Sequence, residues 1–115
     1  MAISEFEEKR CVREVEKFME AKRPPPQVRN QIDFGYRIDN QSVELFEIRP
    51  KRDDQKVRME IPFAKATYVK KEKHWKIYWQ RQDLKWHVYK PVPEVAYFEE
   101  FLQVVADDEH ACFFG

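Results

Sequence analysis

The chemistry this chain could do is concentrated in residues 68–90, YVKKEKHWKIYWQRQDLKWHVYK, which hold all three tryptophans and two of the three histidines. Between Lys65 and Lys90 stand eight lysines or arginines, against only Glu72 and Asp83. Lysines interleaved with aromatics can stack bases and neutralise phosphates on an antiparallel sheet. They can equally wall a core with tryptophan and leave solvated lysines behind it. Period-two alternation sorts the two roles. With turns at Glu72-Lys73 and Gln82-Asp83, one face carries Ala64, Ala66, Tyr68, Trp75, Ile77, Trp79, Trp86 and Val88 and reads as core. The other presents Lys65, Lys71, Lys76, Tyr78, Lys85, His87 and Tyr89, the candidate nucleic-acid-binding residues. A plain solvated face accounts for the same residues, with Lys76 opposite Tyr89 as a cross-strand cation–π contact.

A second candidate is Asp33 with Glu47 and Arg49. If the first hairpin has a three-residue loop, the two carboxylates stand opposite each other beside a cation, an arrangement suited to a metal-dependent nuclease. Arg49 argues against it, because a guanidinium cannot lose a proton to act as a base. Like charges facing each other without a metal also favour a different register. No nucleophile constellation is visible: Ser4 caps a helix, Ser42 lies at a hairpin turn, and His110-x-Cys112 alone does not orient a base on a thiol. Two glycines leave no room for a glycine-rich phosphate loop. No cofactor is expected, and binding takes precedence over catalysis.

The formal net charge is zero, which argues against indiscriminate coating of nucleic acid. The distribution is polar all the same. The basic stretch is followed by 91–115, with six acidic residues and no lysine or arginine, so the acidic tail of Asp107, Asp108 and Glu109 could dock on the basic sheet. Cys11 and Cys112 form no metal-type pair and read as two reduced thiols. Without an apolar leader or a membrane-length apolar run, a cytoplasmic location and no membrane partner are expected. The expected partner is single-stranded nucleic acid; the alternative is a protein, including a second copy of the chain.

The elements that must position these residues follow from pattern. Ser4 and Glu7 form a capping box that opens a helix over 4–22, with Cys11, Val12, Val15, Phe18 and Met19 on its apolar face. The run Pro24-Pro25-Pro26 ends it. Residues 31–90 then read as an antiparallel sheet. Its first hairpin turns at Asp39-Asn40, pairing Phe34 with Phe46 or with Leu45 according to loop length. Arg49 to Glu60 is charged and reads as a loop. In the second meander Ala66 is expected opposite Trp79, Tyr68 opposite Ile77, and Trp79 opposite Trp86. A second helix is expected over 94–107 with a stripe of Val95, Phe98, Phe101, Leu102 and Val105, followed by a tail, 108–115, whose Phe113 and Phe114 fold back.

The strings KRPPPQVRNQIDFGYRI, SVELFEIRP, AKATYVKKEKHWKIYWQRQDLKWHVYKPVPEV and CFFG resemble the small bacterial proteins grouped as domain of unknown function 3024. The resemblance covers essentially the whole chain and implies no activity. The expected architecture is one α+β domain over 1–115: a five-stranded antiparallel meander with an N-terminal and a C-terminal helix packed on the sheet.

Overall fold

The computed structural model describes residues 4–81, 83–108 and 113. Helix α1 spans Glu5–Lys22, and the Ser4 hydroxyl accepts the Glu7 amide at 3.2 Å. Glu5, Glu7 and Glu8 in its first turn and Lys22 in its last complement the helix dipole. The helix stops at Arg23, whose amide still reaches the Met19 carbonyl, because prolines follow. Cys11, Val15 and Met19, spaced by four, are its buried stripe.

Strands β1 (Asp33–Asp39), β2 (Ser42–Pro50), β3 (Arg58–Val69), β4 (His74–Gln80) and β5 (Trp86–Val88) pair antiparallel in chain order. A further strand, β6 (Glu94–Val95), pairs with β4, and helix α2 covers Phe98–Asp107. The α+β meander between two helices is therefore the observed architecture. Among the described residues no helix is long and apolar enough to cross a membrane.

Both helices lie on one face. Trp75 packs on Phe98 at 5.1 Å, and Val43, Leu45, Ala64, Ala66 and Ile77 join Val15, Phe101 and Val105 in one buried cluster. Arg10 of α1 donates twice to Glu99 of α2, at 2.7 and 2.8 Å, holding the helices together. Burial is the largest single influence on the Glu99 carboxyl and pushes it up, yet the Arg10 bonds, its own backbone amide and the charges of Arg10 and Arg13 together hold its pKa below the ordinary glutamate value.

Register is where the expectations need correcting. The first hairpin adopts neither expected pairing: Asp39 faces Ser42, so the two-residue loop is Asn40-Gln41, and Phe34 faces Glu47. Asn40 takes a left-handed φ of 59°, which asparagine tolerates better than most residues. The charged stretch expected as a loop, Arg49 to Glu60, is strand at both ends. Ile48, Arg49 and Pro50 pair with Glu60, Met59 and Arg58, leaving only 51–57 as the connection. Backbone pairing there satisfies its own hydrogen bonds and needs no buried side chain. A bulge between Leu45 and Phe46 accommodates Pro62, which cannot donate to a ladder.

The β3–β4 hairpin slips by two residues from the expected register: Ala66 faces Ile77 and Tyr68 faces Trp75, around a loop over 70–73. A slip of two preserves the faces. The β4–β5 hairpin slips by one, so Trp79 faces His87 and Tyr78 faces Val88. The cause lies in the turn, where Leu84 adopts a φ of 62° and the Asp83 carboxylate accepts the Lys85 amide at 2.9 Å. That geometry makes the loop one residue longer than expected and turns β5 over.

Helix α2 begins four residues later than expected, because Glu94 and Val95 pair with Lys76 and Trp75. The stripe of Phe98, Phe101, Leu102 and Val105 is buried as anticipated. Asp108 ends the helix in a left-handed conformation, and Phe113 is buried against Tyr89, ring centroids 4.8 Å apart. The rest of the tail, with Phe114, Glu109, His110 and Cys112, lies outside the described residues.

Candidate functional site

The face of the sheet turned away from the helices carries the candidate site. Lys65 on β3 stands opposite Tyr78 on β4, which stands opposite Val88 on β5. Trp86 joins this face through the one-residue slip. The Lys65 ammonium lies 4.7 Å from the Trp86 ring centroid and 5.1 Å from that of Tyr78, a cation held between two aromatic faces. Lys76 is opposite Thr67, whose hydroxyl shares a 2.8 Å hydrogen bond with Ser42. Lys65, Lys76, Tyr78 and Trp86 are all partly exposed, and Val88 is exposed. Glu44 faces Lys65 from β2 and tempers the positive charge on that side.

Of the residues expected to form the site, Lys65, Lys76 and Tyr78 are thus brought together. Lys71 and Lys85 are exposed but sit in the loops at opposite ends of β4, separated by roughly 20 Å at ~3.3 Å per strand residue. Two assignments are corrected. Tyr89 is 2 % exposed, donates its amide to the Ile77 carbonyl and packs in the core. His87 follows Trp79 onto the helix-side face, where its Nε2 lies 2.9 Å from Asp83 Oδ2. It lines an edge groove of about 460 Å³ with Trp79, Tyr89 and Pro91. Trp86, expected in the core, belongs to the open face; the Asp83 carboxylate inside the turn, which accepts the Lys85 amide, is the sequence signal for the longer loop.

The carboxylate pair is not formed. Asp33 faces Ile48, and Glu47 belongs to the opposite side of the sheet, bound to Arg49 at 2.8 Å. Asp33 is 8 % exposed and accepts two bonds from Arg23, both at 2.7 Å, and the Phe34 amide at 2.8 Å. Arg23 foremost, with the amide, holds its carboxyl below the usual aspartate range despite burial. Its role is to clamp the end of α1 to the start of β1.

Cys11 is fully buried, and burial pushes its thiol up to about 12, so it is an inert core side chain. Asp107 accepts from Gln103 at 2.8 Å and Asp108 accepts the Phe113 amide at 3.0 Å, which engages both carboxylates at the end of α2. They do not reach the open face from there.

Together these features define a class: an α+β protein whose two helices share one face of an antiparallel meander and leave a lysine–aromatic surface on the other. The family model described as Domain of unknown function (DUF3024) matches residues 3–115, and the chain belongs to that family. No curated protein and no solved structure matches the chain.

Proposed function

We propose that the open sheet face binds single-stranded nucleic acid, with Trp86 and Tyr78 as stacking platforms and Lys65 and Lys76 as phosphate partners. The observation that carries this reading is the Lys65 ammonium placed over both the Trp86 and Tyr78 rings. A base arriving on either ring displaces the ammonium, which then turns to the adjoining phosphate, so stacking and charge neutralisation come from one neighbourhood. Strand β4, which supplies Tyr78 and Lys76, is paired on both edges. Direct titration of a fluorescent single-stranded oligonucleotide at low salt tests the reading. Binding that Trp86→Ala weakens without unfolding the protein is the expected result; absence of binding to both DNA and RNA strands rejects it.

A further inference from the structure

At the end of the open face, three metal-type ligand atoms converge. His74 opens β4, Glu72 lies in the preceding loop, and Glu94 is brought alongside by β6. His74 Nε2 is 2.9 Å from Glu72 Oε2 and 2.7 Å from Glu94 Oε2, and one ligand atom from each of the three residues lies within 4.8 Å of the others. The imidazole nitrogen is shielded from solvent, yet it makes no hydrogen bond of acceptable geometry with either oxygen. A single N–H points in one direction and cannot serve two carboxylates flanking it. Three lone pairs aimed at one cation satisfy all three atoms at once.

We infer that Glu72, His74 and Glu94 form a binding site for a borderline divalent transition ion of the Zn2+ type. Two carboxylates and a neutral imidazole carry a charge of −2, which matches a dication. The imidazole selects such an ion over Mg2+ or Ca2+, which favour all-oxygen sets. The two glutamate side chains are about half exposed, at 54% and 50%, so further coordination positions are open to water. Three protein ligands with an open position is the arrangement of a zinc site accessible to solvent rather than a closed structural one. The ligands also come from separate segments. An ion here ties the two-residue strand β6, and with it the start of α2, to the β3–β4 loop.

The site is independent of nucleic-acid binding, and its test does not involve an oligonucleotide. Full-length protein freed of metal with a chelator is titrated with Zn2+ by calorimetry and with Co2+ by visible absorption. The expected result is one equivalent bound, with ligand-field bands for Co2+ and no corresponding response to Mg2+. Glu94→Gln keeps the shape of the side chain and the pairing of β6 but should weaken binding by at least roughly tenfold, and His74→Ala should abolish the Co2+ bands. Absence of Zn2+ and Co2+ binding by the native chain overturns the inference, leaving a histidine flanked by two carboxylates as an ion pair alone. Binding that survives unchanged in both variants overturns it as well, because the ion is then held elsewhere.

Discussion

Gly35 on β1 faces Phe46 on β2, and the Phe46 ring occupies the space a side chain at 35 would need: a Cβ there would lie 2.7 Å from Cε1 and 2.9 Å from Cζ. Phe46 is 6 % exposed although it lies on the open face, because Arg37 covers its ring at 4.7 Å. The glycine thus allows a large aromatic to lie flat across the neighbouring strand. Gly35→Ala should destabilise the protein by about 1 kcal/mol, the gain from a less flexible unfolded chain offsetting part of the overpacking, and Gly35→Val should cost about 1–3 kcal/mol. Urea midpoints at constant slope measure both.

Two of the three tryptophans, Trp75 and Trp86, should separate by environment. Trp75 is 1 % exposed between Tyr68 and Phe98, so Trp75→Ala should cost about 3–5 kcal/mol. Trp86 is partly exposed on the open face, and Trp86→Ala should cost less than about 1.5 kcal/mol. Equal melting temperatures for the two variants would contradict the face assignment.

For the proposed nucleic-acid surface, a strand long enough to run from Lys85 past Lys65 and Lys76 to Lys71 neutralises four phosphates. Log affinity should then fall against log salt with a slope of roughly −3. Lys71→Ala and Lys85→Ala should each flatten it by about 0.7. Trp86→Ala should weaken binding by ~1–3 kcal/mol with the slope unchanged. Titrations over a series of salt concentrations separate the two effects.

Asp33 makes stability depend on pH in a known direction. Its carboxyl is more acidic folded than unfolded, so its contribution is complete above the unfolded value of about 3.9 and is lost as pH falls through the folded value. Asp33→Asn should therefore lower the melting temperature at neutral pH. The gap to the native protein should close at acidic pH, and a gap that stays constant down to strongly acidic pH would show that the Arg23 pair does not titrate with folding.

Cys11 should be silent to thiol reagents in the native state. In a Cys112→Ser variant, the remaining thiol is fully buried, with its pKa pushed up to about 12, so labelling should track global unfolding as denaturant rises. Rapid labelling without denaturant would place α1 away from the core.

The helices were legible because their signals are local. Ser4, the proline run and the stripe of Cys11, Val15 and Met19 mark α1 by themselves, and Phe98, Phe101, Leu102 and Val105 mark α2. Alternation likewise showed that β3 and β4 each have an apolar and a basic side, and a two-residue slip left that intact. What alternation cannot supply is the length of each turn, since one residue more or less exchanges the faces of the next strand. Those lengths depend on residues in the left-handed region, Asn40, Lys73 and Leu84, of which only asparagine is disposed to it by type. At Lys73 and Leu84 the conformation comes from the surroundings: the Val69 carbonyl in one turn, and in the other the Asp83 carboxylate with the closing bonds between Arg81 and Lys85 or Leu84. The folded turn between β4 and β5 therefore decided that Trp86 faces outward beside Lys65 and that Tyr89 enters the core, and the pairing of β6 with β4 decided that Glu94 meets His74. The sequence by itself determined two amphipathic helices and a sheet with a basic side; the folded lengths of the turns, and the strand registers they set, determined which aromatics stand on that side.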